Sequence, residues 1–384
     1  MNRRGFLAAG CACGASLLCK PVRAQQDWQA PARFTRPDIT TDEGGLWSLM
    51  DREETGLRRS PFSIHDPQLR DYVQGIACRL AGEHCPDIRV HLVRTPLSNA
   101  AMAPNGMMQV WTGLLLRMEN EAQLAAVLGH EIGHYLSRHL VERLRDAKSR
   151  SAFGQFLGLF GLVGAVGQLA MLGGAFAYSR DQEREADRIS VILMSKAGYD
   201  ASESAKVWHN LLLEIKARPG SDPERSSPMF ATHPSAEERK ETLAKLADAA
   251  HGGITNEDAW RENIRPFRHE WLREEIRRGQ HEESIVMLTR MIARSPAQPE
   301  FLCARGEVYR MRAKDNDLDA AVADYQAAAD IGGEPPETHR GLGMIYRRRD
   351  QLPEARASFQ RYLELAPEAS DLLMIKSYME EPGI

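Results

Sequence analysis

Two periodicities divide the first part of the chain into predicted helices and strands. Apolar residues recur at the spacing of an amphipathic helix in five segments, residues 66–81, 121–145, 180–196, 202–216 and 235–249. Alternation with a period of two predicts a strand over residues 88–93. Residues 100–111 form a second extended stretch, which the turn signal Pro104-Asn105-Gly106 interrupts. This part of the chain is therefore predicted to be mainly α-helical, with a few strands.

Glycine and proline positions indicate where the domains begin and end. Residues 25–60 are polar and contain prolines and the pair Gly44-Gly45, which predicts an extended leader. The pair Gly252-Gly253 marks the best boundary further along the chain. We therefore predict a first domain over residues 61–252 and a second over residues 260–384.

Large and small residues repeat along the second predicted domain. Residues 336–367 carry the pattern at the offsets of a helix-turn-helix repeat of roughly 34 residues, and two earlier units match it more loosely. The matching positions are Leu342, Gly343, Tyr346, Ala355, Phe359 and Pro367 in the last unit, Gly306, Tyr309, Ala321, Tyr325 and Ala328 in the middle unit, and Leu272, Gly279, Leu288, Met291 and Pro296 in the first. The middle unit has an insertion near Lys314. This domain looks like a tetratricopeptide-repeat array, with a generic helical bundle as the alternative.

The first 24 residues read as an export signal. Arg3 and Arg4 precede an uncharged apolar run over residues 6–18, and Val22-Arg23-Ala24 supplies small residues for cleavage after Ala24. A membrane anchor is the alternative, but the apolar run is too short to span a ~30 Å hydrocarbon core. The two arginines with Gly5-Phe6-Leu7 also resemble a twin-arginine signal. The rest of the chain is then expected to reach an oxidising compartment.

Composition and cysteine usage narrow the classes of protein further. The formal net charge is −4 and no dense basic tract occurs, which argues against a nucleic-acid-binding protein. Three of the six cysteines lie in the export signal. In an oxidising compartment Cys78 and Cys85 are close enough along the chain to form a disulfide, with two free buried thiols as the alternative. Cys303 remains alone and is expected in a helical core.

The pentapeptide His130-Glu131-Ile132-Gly133-His134 carries the candidate chemistry. Residues four apart share one face of a helix, so both imidazoles can ligate a zinc ion at ~2 Å. Glu131 can then take a proton from a water molecule whose pKa the zinc lowers toward ~7. A helix with surface histidines is the alternative. The small and apolar run over residues 125–129 argues against it, because buried imidazoles and carboxylates are costly without a partner.

A catalytic zinc site needs a third protein ligand and keeps one position open. His139 has the wrong spacing for a site with three histidines. Glu183 and Asp187 lie four apart on one predicted helical face, so Glu183 is the candidate third ligand. Asp187 would then accept a hydrogen bond from the far nitrogen of a ligand histidine and hold its tautomer. Glu185 faces away from Asp187 and is expected to pair with an arginine.

Residues 151–179 contain no charge and many glycines. Hydropathy alone is compatible with a membrane span, but a single crossing would separate two ligand-bearing helices by ~30 Å. We therefore expect a flap over the site or a helix that touches a membrane surface, with a buried core helix as the alternative.

Together these motifs resemble peptidase family M48, the zinc metalloproteases related to the prenyl-protein protease. The matching residues are His130-Glu131-x-x-His134, Glu183-x-x-Ala186-Asp187, Thr232-His233-Pro234 with Arg239, and more loosely residues 99–106 with Gly113-Leu114. The resemblance implies a mainly α-helical gluzincin-type metallopeptidase domain with a small β-sheet and one zinc ion per chain. It also implies that the edge strand of the sheet receives the substrate backbone, here through Asn99, Ala100, Ala101 and Met102.

The family's His-Pro loop maps to His233. This histidine would donate a hydrogen bond to the oxyanion, or occupy the fourth position of the zinc and hold the enzyme latent. A residue that only caps the next helix is the alternative.

The sequence therefore predicts a zinc-dependent endopeptidase with Glu131, Asp187 and His233 as catalytic residues. By resemblance it acts in the periplasm of a Gram-negative bacterium on unfolded or misassembled proteins, those of the outer membrane in particular. The repeats would dock these clients or the outer-membrane barrel assembly machinery, and residues 151–179 would contact a membrane peripherally. A chaperone-like scaffold with a latent metal site is the first alternative. The second is a membrane-embedded prenyl-peptide protease, which needs further membrane spans than the sequence offers.

Overall fold

The computed structural model describes residues 28–149, 178–233, 236–248 and 252–380. The predicted export signal and residues 151–177 of the uncharged segment lie outside the described residues. Residues from Ala32 onward belong to one compact unit, so the division near residues 252–260 stays a prediction. Within the described ranges, no helix combines the length and the apolar character that a membrane crossing requires.

Helices dominate the structure, as predicted. The first part contains α1 (Asp42–Arg58), α2 (Pro67–Ala81), α3 (Thr112–Arg117), α4 (Glu121–Leu136), α5 (His139–Ser149), α6 (Arg180–Lys196), α7 (Glu203–Lys216), α8 (Pro223–Ser226), α9 (Pro228–Thr232) and α10 (Ala236–Asp248), with a 3-10 turn over Gly82–Asp87. The C-terminal part contains α11 (Glu257–Arg277), α12 (His281–Arg294), α13 (Pro299–Arg312), α14 (Asp317–Ile331), α15 (Glu337–Arg348), α16 (Leu352–Leu365) and α17 (Leu372–Met379). The prediction of a mainly α-helical protein with a small sheet is confirmed.

The small sheet has four strands in the order β1-β2-β4-β3. These are β1 (Ser63–Ile64), β2 (Arg89–Val93), β3 (Ala100–Met102) and β4 (Met107–Trp111). β2 runs parallel to β4, whereas β1 and β3 are antiparallel to their neighbours, and Ala101 pairs with Gln109. Only the first half of the predicted extended stretch is therefore an edge strand, because β4 is paired on both sides.

The prediction of an extended leader over residues 25–60 is wrong for its second half, because α1 occupies most of that half. Thr41 caps this helix by accepting a hydrogen bond from the Gly44 amide, and Asp42 and Glu43 lie in its first turn. Leu46, Met50 and Leu57 of the helix pack in a core cluster with strand residues Val93, Met107 and Trp111. This long-range burial outweighs the poor helix propensity of the two glycines.

The predicted helix over residues 121–145 is interrupted. α4 ends at Leu136, and Arg138 has a φ of 57°, in the left-handed region. The chain therefore turns before α5 begins at His139. This turn directs His139 back toward α4, which a continuous helix would not do.

Two glycines bring α4 and α6 into close contact. A Cβ atom at Gly129 would lie 2.9 Å from Oγ of Ser190, and one at Gly133 would lie 3.0 Å from the carbonyl oxygen of Ala186. Every residue of α4 is buried. Gly129 directly precedes His130, and Gly133 directly precedes His134. The close approach of the two helices therefore places the α6 carboxylates beside the α4 histidines.

In the C-terminal part, α13 packs against α14 and α15 packs against α16. Ala321, Tyr325, Ala355 and Phe359 of the repeat pattern are fully buried. The lone Cys303 lies in the helical core with Tyr325, as expected. The insertion near Lys314 forms the loop between α13 and α14.

A buried ion network joins the two parts of the molecule. Arg117 of α3 contacts Glu214 of α7 at 2.6 Å and Glu275 of α11 at 2.9 Å, and all three side chains are buried. The indole of Trp260 donates to the carbonyl oxygen of Met118 at 2.8 Å. Such a network is costly to break, because removing one partner leaves the others buried and unpaired.

The disulfide predicted between Cys78 and Cys85 is present in the structure. It links the last turn of α2 to the 3-10 turn that leads into β2. The bond closes a short loop beside the sheet.

Candidate metal centre

Four side chains bring ligand atoms to one buried point. His130 and His134 of α4, Glu183 of α6 and His233, directly after α9, each offer one atom, and these atoms lie within 4.8 Å of one another. The two Nε2 atoms of the α4 histidines are 3.0 Å apart. The carboxylate of Glu183 lies 3.4 Å from His130 Nε2 and 3.3 Å from His134 Nε2. Nδ1 of His233 lies 3.1 Å from both His130 Nε2 and Glu183 Oε1.

These distances suit a tetrahedral metal ion. Two ligand atoms that lie ~2 Å from one zinc ion at a tetrahedral angle are about 3.3 Å apart. The donor types, imidazole nitrogens and a carboxylate oxygen, are those that borderline metals prefer. Oε2 of Glu183 is buried and accepts no hydrogen bond among the described residues, and its nearest cation is Nη1 of Arg239 at 3.0 Å. Glu183 is therefore an ionised carboxylate beside three imidazoles, a donor set that fits a cation.

The outer nitrogen of His130 meets a carboxylate, as the sequence predicted. His130 Nδ1 lies 2.9 Å from Asp187 Oδ1. Arg239 of α10 binds the same carboxylate through two hydrogen bonds of 2.9 and 2.6 Å and lies over the ring of Trp208 at 3.6 Å. Asp187 is thereby held in place to accept a hydrogen bond from Nδ1 of His130, while Nε2 of His130 faces the other donors and also lies 3.3 Å from Nη2 of Arg239. The sequence motif includes Arg239 but does not predict its contact with Asp187, which depends on the fold.

His134 has a different outer partner, which sequence reasoning missed. Its Nδ1 lies 2.9 Å from Nδ1 of His139, and its ring stacks on Tyr178 at 3.8 Å. His139 is not one of the four grouped donors, but it is buried and contacts one of them. Its Nε2 lies 3.5 Å from Glu185, which accepts a hydrogen bond from Ser137 at 3.2 Å. Among the described residues, no ion pair joins Glu185 to the expected arginine. The turn at Arg138 was the missing information, because it cannot be read from helical periodicity.

We expect His139→Leu to weaken metal binding about 10- to 100-fold, the usual cost of losing a hydrogen bond to a metal-bound imidazole. His134 Nδ1 must carry a proton when Nε2 is the ligand. Leucine cannot accept a hydrogen bond from this N–H group. His139→Gln keeps an acceptor and should retain most of the affinity. Competition with a chromophoric chelator measures both variants. Equal affinity of the leucine variant and the parent would show that His139 only fills space.

Glu131 lies beside the four donors without being one of them. It is 2% exposed, and its Oε1 is 3.3 Å from His233 Nε2. Burial raises the pKa of Glu131, and the neighbouring His233 and His130 offset only part of this effect. Burial also acts to raise the pKa of Glu183, but Arg239 and His233 outweigh it and hold this pKa well below its usual range. Glu183 is thus kept ionised, whereas Glu131 is closer to a proton-accepting group.

The predicted substrate strand lies next to this centre. Met102 of β3 lines the same small pocket as His134 and Tyr178. Among the described strands, β3 pairs with β4 alone. The amide of Asn99, just before the strand, is buried, and neither its oxygen nor its nitrogen has a partner among the described residues. The substrate-binding role of residues 99–102 stays a prediction.

Comparisons with known proteins agree with this geometry. Residues 63–247 match the sequence model of peptidase family M48. The chain is 29% identical over 243 residues to the beta-barrel assembly-enhancing protease of Escherichia coli (strain K12), covering 57% of this chain and 47% of that protein. It is 32% identical over 156 residues to the mitochondrial metalloendopeptidase OMA1 of Arabidopsis thaliana, covering 41% of this chain and 31% of that protein. The chain thus spans about half the length, or less, of these curated relatives.

Proposed function

We propose that the protein is a zinc-dependent endopeptidase, whose metallopeptidase domain comprises residues 63–247, the part that matches the sequence model of peptidase family M48. The observation that carries this proposal is the group His130, His134, Glu183 and His233 with the buried Glu131 at its side. A structural zinc site does not require a carboxylate beside its ligands, whereas a hydrolytic site requires one as the general base.

The proposed reaction uses the residues of the centre in distinct roles. When bound, zinc supplies Lewis acidity to the scissile carbonyl and to a water molecule. Glu131 takes the proton of that water and passes it to the leaving amine. Asp187, held by Arg239, keeps His130 in the tautomer whose Nε2 faces the metal. The substrate backbone would pair with β3, so that Asn99, Ala100, Ala101 and Met102 hold it in extended form.

His233 has two candidate roles in this scheme. As a hydrogen-bond donor to the oxyanion, His233 would not coordinate the metal. As a fourth ligand, it would occupy the coordination position that a water molecule needs. The position of its Nδ1, 3.1 Å from both His130 Nε2 and Glu183 Oε1, supports the second role. The described conformation would then be a latent one, in which His233 must leave before substrate enters.

Metal removal tests the proposed activity. We expect a strong chelator to abolish cleavage of casein by the purified chain and stoichiometric zinc to restore it, because the centre holds the only described cluster of this kind. Cleavage is followed by electrophoresis, and bound metal by elemental analysis. Cleavage that survives complete metal removal would contradict the proposal.

The envelope role extends the proposal beyond the domain. The relative in Escherichia coli is named for enhancing beta-barrel assembly. By this likeness, we propose that the chain acts in the periplasm on unfolded or misassembled outer-membrane proteins. Residues 260–384 would form a tetratricopeptide-repeat domain that docks such clients or the barrel assembly machinery.

One observation favours the second candidate, a chaperone-like scaffold with a latent centre. Four protein donors complete a tetrahedral metal and leave no position for water. If both the parent chain and His233→Ala hold zinc and neither cuts casein, the scaffold function is supported instead.

A further inference from the structure

A groove runs along the C-terminal helices, between α11 on one side and α13 and α15 on the other. Two adjoining hollows of about 370 and about 700 Å³ share His269, Arg273, Glu300 and Glu337 in their walls. Hollows of this size hold several side chains of a bound molecule. The groove is distinct from the metal centre, whose residues line neither hollow.

One wall of the groove carries a row of basic side chains, three arginines and a histidine. Arg265, His269, Arg273 and Arg277 follow one another at intervals of four along α11, which places them on one face of the helix. The three arginines are exposed and make no ion pair with any residue in the described part of the chain. Their charges are therefore available to a partner.

The acidic groups of the opposite wall already face partners. Glu300 lies beside Arg268, Glu334 is 2.8 Å from His339, and Glu337 is 3.8 Å from His269. Glu307 accepts hydrogen bonds from Arg310 at 2.5 Å and from Tyr325 at 2.7 Å. Asp371 accepts from Arg340 at 2.5 Å and from Tyr362 at 2.7 Å. Because these carboxylates are paired, they do not cancel the row of arginines on α11.

A buried donor points to the same kind of ligand. Arg268 is only 4% exposed and lines the groove, where its Nη2 pairs with Glu300 and donates to Gln298 at 3.1 Å. Its Nε has no acceptor among the described residues, so an acceptor brought by a ligand would relieve the cost of this one unsatisfied buried donor. Leu272 and Ile276 on the same helix supply an apolar floor between the charged positions.

We propose that this groove binds an extended polypeptide segment with acidic residues at alternate positions. Residues four apart on a helix are separated by ~6 Å along its axis, and alternate residues of an extended chain by ~6.6 Å. The carboxylates of such a segment therefore match the arginine row in register. The intervening side chains meet Pro335 and Tyr362 on the opposite wall. This inference rests on the proposed docking role and names its ligand chemistry.

Fluorescence anisotropy with labelled peptides tests the inference. The protein is the full chain carrying Glu131→Gln, so that the probes stay intact. The probes are three peptides of alternating sequence, Glu-Ala, Gln-Ala and Lys-Ala, of equal length. We expect the Glu-Ala peptide to bind about tenfold tighter than the Gln-Ala peptide at low salt, and the difference to shrink as salt rises.

Charge reversal in the groove provides the matched comparison. Arg273→Glu with Arg277→Glu should weaken Glu-Ala binding about tenfold or more. Arg52→Glu with Arg348→Glu changes the net charge equally at exposed positions outside the groove and should leave binding unchanged. Circular dichroism checks that both double variants keep their helices.

Three results would overturn the inference: equal binding of the Glu-Ala and Gln-Ala peptides, equal loss in both double variants, or tighter binding of a single-stranded oligonucleotide than of the acidic peptide. None of them bears on hydrolysis, because binding is measured in the Glu131→Gln chain. Failure of casein cleavage by the parent, with intact peptide binding, would reject the protease function alone.

Discussion

Glu131→Gln is expected to lower peptide-bond hydrolysis by at least about 10²-fold while leaving the bound metal unchanged. Glu131 is buried beside the donors, and its carboxylate is the group placed to accept a proton from water. A positioned general base contributes roughly 10²–10⁴-fold to such a reaction. Glutamine has nearly the same shape but cannot take up that proton. Casein cleavage and metal content, measured on the same preparation, give the result.

The control for this substitution is Glu83→Gln, which makes the same chemical change at an exposed carboxylate of the 3-10 turn. It should cut at the parental rate. Cleavage by Glu131→Gln at that rate would mean that another group activates the water. Loss of metal from this variant would instead mean that Glu131 is itself a ligand.

His233→Ala is expected to raise the rate of cleavage about tenfold or more. His233 places Nδ1 among the donors and Nε2 at 3.3 Å from Glu131, so it occupies the space next to both the metal position and the base. An enzyme that is competent only when this side chain is displaced works at a rate reduced by the competent fraction. Alanine removes the competing donor. Initial rates at saturating casein, with zinc content measured in parallel, report the change.

His65→Ala is the matched control, since His65 is exposed and lies outside the centre. If His233→Ala loses cleavage but keeps its zinc, His233 donates to the oxyanion, and the latent conformation is excluded. A variant that loses its zinc as well would show that His233 holds the metal without gating the reaction.

Local patterns predicted part of the centre and missed its supports. The i,i+4 spacing places His130 and His134 on one face of any helix, so this pair needed no knowledge of the fold. The same rule grouped Glu183 with Asp187, and the structure brings both to the histidines. The spacing of His139 predicts that it is not a zinc ligand, and no sequence pattern predicts another role for it. Its contact with His134 depends on one left-handed residue, Arg138, whose backbone angle no periodicity encodes.

The tertiary structure decided which predicted segments are helices and which strand lies at the edge. The polar character, prolines and paired glycines of residues 25–60 predict an extended leader. Glycines lower helix propensity by roughly 1 kcal/mol each, which is a local effect. Burial of Leu46, Met50 and Leu57 against the sheet is a long-range effect and outweighs it. Likewise, alternation identified residues 100–111 as extended, but only the pairing order shows that β4 is internal and β3 is not.

The sequence by itself therefore determined the mainly α-helical class and the grouping of His130 with His134 and of Glu183 with Asp187, and it favoured the repeat pattern and the disulfide over their alternatives. Each of these depends on spacing along the chain, which a sequence states directly. The convergence of His233 and Arg239 on α4, and the closed group of four donors, were decided only by tertiary structure. The physical reason is that Gly129 and Gly133 let α6 approach α4 closely, while packing of the later helices carries His233 and Arg239 to the same buried point.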